Sequence, residues 1–324
     1  MSLVLAVDGG NSKTDVALLS ASGPLLSWVR GPGSAIGALR AARLIGRLAG
    51  VAARRAGADL AAAHAACYLA GADVPWQVEE RRAALDALGV FGSVSVGNDA
   101  WALLRLGAPA SVPAVGVVCG AGLKCVARTG TSRHEFPSLG WQTGDLSGAG
   151  DFLAREVVRV AARAEDGRGP ETPLRDAVLA HLSVPSVRAV ADHLLTGELT
   201  EDRLGVLVPV VLDQALAGDP VAVSVVGELA AEVAVTARAA RRHLSGGPGW
   251  TLVLGGGLFA DPAGRFLSAV RTATPGLEEE FTLAAVDAPP VVGAALLGLD
   301  HIGARVSSSA VRHAFRDADP FPDC

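Results

Sequence analysis

The chain has 324 residues, of which half are hydrophobic and 19 % are charged, and its formal net charge is −5 at pH 7. This length suits roughly two domains of about 150 residues, and the acidic balance argues against nucleic acid or an anionic membrane as a partner. Four cysteines are too few for a disulfide framework. The N-terminal residues resemble no secretory leader and no apolar run is long enough to span a bilayer, so we expect a soluble cytoplasmic protein.

Short apolar runs that end at glycine turns dominate the first third of the chain. The predicted elements are strands over 3–7, 15–20 and 25–30, a helix over 38–56, a strand over 65–70, a helix over 76–88 and a strand over 93–96. The order βββαβαβ combines an antiparallel meander with parallel strands, which predicts an α/β sheet different from a plain dinucleotide-binding fold.

The pattern restarts after residue 113. Strands are predicted over 114–118, 125–128 and 251–254, helices over 152–165, 172–182, 186–194, 203–217 and 221–243, and further apolar segments over 266–272, 281–285 and 291–299. Two similar halves, the second with a helical insertion, predict two lobes around a cleft. The expected division is an N-terminal lobe 1–112, a C-terminal lobe 113–291, a helix 292–306 that returns to the first lobe, and a tail 307–324.

Three glycine-rich turns each follow an apolar strand, at 8–15, 119–124 and 255–257. Such turns expose successive backbone N–H groups that can bind phosphate oxygens, and Asp8 adds a carboxylate for Mg²⁺. An ordinary hairpin would use the same turn-forming residues, so the first turn alone leaves both interpretations open. Three such turns together favour a nucleotide-binding protein.

Only two of the 28 basic residues are lysines, Lys13 and Lys124. If Gly9 is aligned with Gly120, both lysines fall at the same position of two similar strand–turn–strand units. A compact ammonium suits a γ-phosphate as a point charge, so we predict a phosphate contact for each lysine.

Several of these segments together resemble one family. The turn 8–15, the segments 96–100, 116–125, 140–145 and 252–259, and the stretches 164–170 and 288–294 are similar, in order, to motifs of the N-acetylglucosamine kinase and BadF-type ATPase family. That family belongs to the sugar kinase/Hsp70/actin superfamily. The resemblance implies a two-lobed α/β fold of the ribonuclease H-like type, with a duplicated βββαβαβ core and an interlobe cleft.

The resemblance also implies roles for particular residues. Asp99 would be the catalytic base and Asp8 the metal ligand. ATP or its phosphates would contact Gly9, Gly10, Asn11, Ser12, Lys13, Thr14, Gly120, Ala121, Gly122, Lys124, Gly255, Gly256 and Gly257. The sugar would contact Ser34, Asn98, Asp99, Gly140, Trp141 and Asp145.

Three of these residues could instead have purely structural roles. A carboxylate at the end of a strand suits a general base for a sugar hydroxyl, but Asp99 could instead cap the helix that follows it. Asp145 could equally cap a helix, and Trp141 could be a buried structural residue.

The chain also departs from the family at several positions. Ser34 lies in a loop that usually carries Asn, Ala121 and Leu123 replace hydroxyl residues, and Leu146 replaces an acidic residue.

The function implied is an ATP- and Mg²⁺-dependent phosphotransferase acting on an alcohol group of an amino sugar, with N-acetylglucosamine and its 6-phosphate as the first choice. N-acetylmuramic acid, glucosamine or another hexose is the second choice of substrate. Two different functions stay open as well: an ATPase acting on a protein partner, as dehydratase activators do, and a sugar-binding regulator without catalysis. Relatives imply a homodimer. The seven histidines show no metal-ligand spacing.

Overall fold

The computed structural model describes residues 2–120, 122–146, 148–286 and 288–322. Its strands are β1 (Leu3–Gly9), β2 (Lys13–Ser20), β3 (Leu25–Pro32), β4 (Ala63–Leu69), β5 (Ser93–Asn98), β6 (Ala114–Cys119), β7 (Leu123–Thr129), β8 (Ser132–Glu135), β9 (Trp250–Gly255), β10 (Phe281–Ala285) and β11 (Phe321–Pro322). Its α-helices are α1 (Ala38–Ala56), α2 (Pro75–Asp86), α3 (Asp99–Gly107), α4 (Gly150–Glu165), α5 (Leu174–Leu182), α6 (Val187–Thr196), α7 (Val208–Leu216), α8 (Pro220–Arg242), α9 (Arg265–Ala273), α10 (Leu277–Glu280), α11 (Pro290–His301) and α12 (Ser308–Arg316).

The chain forms two compact units. Unit 1 contains Met1–Gly116, Val126–Arg133 and Ala284–Cys324, and unit 2 contains Val117–Cys125 and His134–Leu283. The strands form a six-stranded sheet of order β11-β3-β2-β1-β4-β5 and a five-stranded sheet of order β10-β9-β6-β7-β8.

The six-stranded sheet has the predicted mixed topology. β1 and β2 pair antiparallel, as do β2 and β3, whereas β1 pairs parallel with β4 and β4 with β5. In register, Asp8 lies beside Tyr68, and Tyr68 lies beside Gly97. The carboxyl ends of β1, β4 and β5 therefore meet at one edge, which is where open α/β sheets bind ligands.

Both faces of this sheet are covered, which explains why β1 is a continuous apolar run. Leu5 and Val7 belong to one buried cluster together with residues of α1, and Val4 and Ala6 belong to a second cluster with residues of α3 and α11. Alternate side chains of a strand point to opposite faces, so a strand buried on both faces needs apolar residues at every position.

Helix α11 packs unusually close to α3. A Cβ at Gly293 would lie 1.9 Å from the carbonyl oxygen of Ala102, and a Cβ at Gly298 would lie 2.5 Å from Val4 Cγ1. Only glycine leaves room for these contacts, so the two glycines allow α11 to seat against α3 and β1.

The C-terminal segment, interpreted from sequence as a tail, forms secondary structure on unit 1. The Ser307 hydroxyl caps α12 by accepting a hydrogen bond from the Ala310 amide, and Phe315 packs edge-on against Trp28 with ring centroids 5.3 Å apart. After this helix, β11 pairs parallel with β3. The sequence feature that predicts this helix is a serine cap followed by a short amphipathic pattern. The amino-acid composition alone does not reveal it.

Unit 2 contains the predicted helical insertion. Its longest helix, α8, is long and apolar enough to span a membrane, but more than half of its most apolar segment is buried inside the protein.

The predicted helix 203–217 is instead a 3₁₀ turn, Glu201–Leu207, followed by α7. Pro209, near the start of α7, has no N–H and suits a first helical turn, so a new helix begins there.

Candidate active site

The edge of the six-stranded sheet brings acidic side chains together. Asp8 lies near the end of β1 with 8 % of its surface exposed, and burial raises its pKa to about 7, helped by the nearby carboxylates of Asp99 and Asp15. Lys13 and Arg30 act in the opposite direction on the same carboxyl. Since like charges in low dielectric repel, this group of carboxylates favours binding of a cation.

Asp15, opposite Asp8 on β2, already has cationic partners. Arg30 donates to it in a bidentate manner, from Nε at 2.8 Å and Nη2 at 2.9 Å, and Trp28 Nε1 donates at 3.2 Å. The Lys13 Nζ lies 3.8 Å from the same carboxylate. Asp15 is therefore a structural anion, whereas Asp8 is the carboxylate left for a ligand.

The first glycine turn is held closely by the loop after β3. A Cβ at Gly9 would lie 2.3 Å from Ser34 Oγ, and a Cβ at Gly33 would lie 1.9 Å from the Asn11 carbonyl oxygen. Asn11 and Ser12 are exposed at the tip of the turn. The Thr14 side chain, by contrast, is fully buried and its hydroxyl donates to the Pro32 carbonyl at 2.8 Å. Thr14 therefore stabilises the turn rather than presenting its hydroxyl to a phosphate.

Asp99 is not a helix cap. The N-cap of α3 is Asn98, whose Oδ1 accepts a hydrogen bond from the Ala100 amide at 2.9 Å, while Asp99 is the first helical residue. Asn98 Nδ2 also donates to Asp73 Oδ1 at 2.9 Å and to the Ala72 carbonyl at 3.3 Å. Asn98 therefore supplies the N-cap, and the half-buried Asp99 lies in the first turn of the helix.

Two residues at this edge were missed in the sequence. Asp73 lies in the loop after β4, four residues beyond Leu69, and its place after a buried strand could have identified it. Arg81 lies on α2 among the helix's buried residues, with Ala84 and Leu85. An arginine at an apolar helical position is the signal that could have drawn attention to it.

Unit 2 contains a second turn with a similar hydrogen-bond frame, which is one residue shorter. In the first turn the Gly10 amide donates to the Lys13 carbonyl at 2.9 Å, and in the second the Gly120 amide donates to the Gly122 carbonyl at 2.9 Å. The Gly10 carbonyl accepts from the Ser34 amide at 3.0 Å, and the Gly120 carbonyl accepts from the Gly150 amide at 2.8 Å. The internal repeat is therefore real at the level of the backbone.

These bonds correct the sequence alignment of the two turns. Gly120 is equivalent to Gly10 rather than to Gly9, and Lys13 is then equivalent to Gly122. Lys124, two residues beyond Gly122, corresponds to the position of Asp15. The two lysines are not equivalent, so their coincidence in the sequence gives no support to a shared role. The predicted phosphate contact of Ala121 lies outside the described residues.

The third glycine cluster packs against the second turn. Gly256 has a φ of +89°, and a Cβ there would lie 2.4 Å from the Cys119 carbonyl oxygen. That same carbonyl accepts a hydrogen bond from the Leu258 amide at 3.1 Å, just as the Gly9 carbonyl accepts from the Ala70 amide at 2.7 Å. Positive φ and close approach both require glycine, so Gly256 positions the turn after β9. Gly255 ends β9 and Gly257 follows Gly256 in the same turn.

The loop 140–145 of unit 2 presents an exposed aromatic ring. Trp141 is 71 % exposed, so it is not a buried structural tryptophan. Gly140 begins the 3₁₀ turn with a φ of +76°. The Asp145 carboxylate accepts from Thr143 Oγ1 at 2.8 Å and does not cap α4, which begins at Gly150. Burial raises the pKa of Asp145 in spite of this bond.

The described residues contain no group of three or more His, Cys, Asp or Glu side chains that could hold a metal by themselves. Cys67, Cys119 and Cys125 are buried thiols, and burial raises the pKa of each of them. Protonated, buried thiols are poor ligands for a metal or an iron–sulfur cluster. One or two carboxylates near a phosphate-binding turn do suit Mg²⁺, which keeps much of its water and takes other oxygens from the nucleotide.

The BadF/BadG/BcrA/BcrD ATPase family matches residues 5–298 of the chain. The chain belongs to this family. Comparison with curated proteins gives no match.

Solved structures of other proteins have the same fold as this chain. One from Chromobacterium violaceum, described as a putative N-acetylglucosamine kinase, has a TM-score of 0.70 at 24 % identity and covers 92 % of this chain and 99 % of its own. The ROK hexokinase of Thermus thermophilus has a TM-score of 0.58 at 19 % identity, covering 93 % and 99 %. A ROK glucokinase of Streptomyces griseus, in complex with glucose and AMPPNP, has a TM-score of 0.54 at 19 % identity with the same coverage. The protein therefore has the sugar kinase/Hsp70/actin fold.

Proposed function

We propose that this protein is an ATP-dependent sugar kinase that phosphorylates a hydroxyl of an amino sugar, with N-acetylglucosamine and its 6-phosphate as the first choice. The observation that carries the proposal is the placement of Asp99 at the first position of α3, with its capping role taken by Asn98. A sugar kinase needs a carboxylate at the acceptor hydroxyl, whereas an ATPase that only moves a partner protein does not.

The chain's own residues suit each part of this reaction. Asp99 accepts the proton of the attacking hydroxyl, while Asp8 helps to hold the metal. The turn at Asn11 and Ser12 binds phosphate oxygens through its backbone, with Lys13 nearby. When bound, Mg·ATP supplies the phosphoryl group and the positive charge that phosphoryl transfer requires. In unit 2, the exposed ring of Trp141 offers an apolar face to a sugar, and Gly257, where a Cβ would meet nothing within 4 Å, lets a ligand approach the backbone.

Further residues complete the proposed site. We propose sugar contacts for Ser34, Gly140 and Asp145, nucleotide contacts for Gly120, Gly122 and Lys124, and a cytoplasmic homodimer. Asn98 supports the site indirectly, since its side chain is used by Ala100, Ala72 and Asp73.

An ADP-release assay over a panel of sugars tests the proposal. We expect turnover that depends on an amino sugar and that falls by about 10²–10⁴-fold in Asp99→Asn, the usual range for loss of a general base. ATP binding to the variant, measured by calorimetry, should persist. Asp59→Asn is the matched control, because Asp59 lies before β4, at the opposite end of that strand from the site, and caps a short 3₁₀ turn. ATP hydrolysis at the same rate with and without every sugar would contradict a kinase.

A further inference from the structure

Arg81 is a buried cation without a counter-charge among the described residues. It is 7 % exposed, and within that part of the chain its guanidinium makes a single hydrogen bond, from Nη2 to the Ile36 carbonyl at a long 3.4 Å. Its Nε is buried and has no partner there. Burial of a charge is costly unless an anion pairs with it, so the surroundings of Arg81 favour an anion.

The carbonyl that accepts this bond stands directly before helix α1. Ile36 precedes Gly37, the N-cap, and no side chain caps the helix. The first amides of a helix have no carbonyl partner inside it, and the first turn of α1 contains no acidic residue that could satisfy them. Ala38, which carries the first of these amides, is 5 % exposed. The positive end of the α1 dipole therefore adds to the positive potential around the guanidinium.

The N-cap position leaves space for a ligand. A Cβ at Gly37 would meet no atom within 4 Å. The space beside Gly71 is filled, by contrast, because a Cβ there would lie 2.8 Å from Arg81 Nη2. The guanidinium is therefore held between the loop after β4 and the Ile36 carbonyl, while the start of α1 is open.

We propose that the Arg81 guanidinium and the first amides of α1 bind a small monovalent anion, and that this anion is chloride. One negative charge balances the one buried positive charge, whereas phosphate or sulfate would leave an excess negative charge in a buried place. A spherical anion can accept hydrogen bonds from a guanidinium and from backbone amides at a helix N-terminus without a fixed orientation. This anion is neither a substrate nor a phosphate donor.

One turn connects the anion site to the proposed acceptor site. The Ile36 amide donates to the Ser34 carbonyl at 2.8 Å, and the Ser34 amide donates to the Gly10 carbonyl at 3.0 Å. Ser34 is 1 % exposed, and its hydroxyl has no partner among the described residues, so its position depends on this turn. The bound anion should hold the turn in place and lower KM for the sugar. This last effect, unlike the anion site itself, rests on the proposed kinase function.

Thermal unfolding in chloride and in methanesulfonate tests the site directly. The two sodium salts are compared at about 150 mM each, so that screening of other charges is equal. The variants are Arg81→Met, which removes the cation, and Gly37→Asp, which places a carboxylate at the N-cap. Gly37 has a φ of −51° and a ψ of 142°, and Asp is a favoured residue at N-caps of this extended kind. Arg82→Met is the control, because that exposed arginine pairs with Glu79 and Asp86 on the same helix.

We expect chloride to raise the Tm of the wild type by about 1–3 °C relative to methanesulfonate, the shift for a ligand at roughly ten times its Kd. Arg81→Met should show no chloride effect, and in methanesulfonate it should be at least as stable as the wild type because it lacks an unpaired buried charge. Gly37→Asp should be stabilised in methanesulfonate and should also lose the chloride effect, since its own carboxylate takes the place of the anion. Arg82→Met should respond as the wild type does.

Two further measurements use the wild type. In crystals soaked in bromide, anomalous scattering should show a bromide ion in contact with the Arg81 guanidinium and the Ala38 amide. KM for N-acetylglucosamine, measured by ADP release, should rise about fivefold when methanesulfonate replaces chloride, which is a modest coupling between two sites. The same exchange of salts should leave KM of Gly37→Asp unchanged.

Several results would overturn the proposal. These are a wild-type Tm that is equal in the two salts, a chloride effect that persists in Arg81→Met, and bromide that is absent from the start of α1. Inorganic phosphate that stabilises the wild type more than chloride does would refute the choice of a monovalent anion. An Arg81-dependent Tm shift in a protein that phosphorylates no sugar would support the anion site and count against the kinase function.

Discussion

Replacement of Asp8 by Asn should stabilise the metal-free protein while it weakens catalysis. Asp8 is buried, and burial together with the carboxylates of Asp99 and Asp15 raises its pKa from 3.8 to about 7. A raised carboxyl pKa means that the folded state binds the proton more tightly than the unfolded state does. The stability of the folded protein therefore falls as pH rises from about 4 to 7, and the full penalty is present above pH 7.

The size of this penalty follows from the pKa. The change from 3.8 to about 7 is about three pKa units, and each unit is about 1.4 kcal/mol, which gives about 4 kcal/mol as an upper limit at pH 8. Asn has nearly the same shape and no charge, so Asp8→Asn removes the repulsion. In the unfolded state this carboxyl is half protonated at pH 3.8, so the penalty should decrease to about 1 kcal/mol at pH 4.5 and should vanish only below about pH 3.

Urea denaturation with a chelator present, at pH 8 and at pH 4.5, measures the effect. Asp15→Asn is the matched control on the facing strand, and it should have the opposite sign. Its carboxylate holds Arg30 at 2.8 and 2.9 Å and Trp28 at 3.2 Å, and loss of these bonds should cost about 2–3 kcal/mol. An Asp8→Asn protein that is less stable than wild type at pH 8, or a difference that does not change with pH, would refute the reasoning.

Two further predictions concern a histidine and a lysine. Burial and the stacked His301 lower the pKa of His64 to about 4, so the unfolded state binds the proton first and stability should fall by up to about 3 kcal/mol between pH 6.5 and 4. His64→Asn should lose this part of the pH dependence in urea titrations, and parallel profiles for the two proteins would contradict it. Lys13, whose side chain is 45 % exposed at the first turn, should matter for nucleotide binding, so Lys13→Met should weaken ATP binding about tenfold by calorimetry. Lys13→Arg should weaken it less, and unchanged affinity in Lys13→Met would remove Lys13 from the phosphate site.

The fold of unit 1 was predictable because its strands are apolar throughout and end at glycine. Such runs have one satisfactory arrangement, a sheet covered on both faces, and the helix predicted over 38–56 is α1 with the same bounds. The C-terminal helix and strand were not predictable in this way. Their apolar residues, such as Phe315, are few, and they are stabilised by contacts with Trp28 and β3 that are far away in sequence.

The places of Asp8 near the end of β1 and of Asp99 directly after β5 were predictable, because each stands at the end of an apolar run. The hydrogen-bond partners of the neighbouring side chains were not predictable. Thr14 and Asp15 stand beside Lys13 in the same motif, yet Thr14 donates to Pro32 and Asp15 binds Arg30. Arg81 is a further case, because its apolar position on α2 is unusual for an arginine but does not reveal that the side chain is buried with no counter-charge among the described residues. Only the packing of α2 against the loops of the site does so.

The two glycine turns resemble each other in their backbone hydrogen bonds but not in their side chains. Their backbone hydrogen bonds are similar, since the Gly10 and Gly120 amides both bond across the turn and their carbonyls both accept from an amide of a later segment, although the second turn is one residue shorter. Their side chains differ, because the positions of Gly9 and Asp15 in the first turn are taken by Cys119 and Lys124 in the second. The backbone frame is therefore common to both turns, whereas the cluster of carboxylates belongs to unit 1. It follows that substitutions of the acidic residues in unit 1 should affect proton and metal chemistry, and that substitutions at Gly120 or Gly256 should act through the position of the backbone.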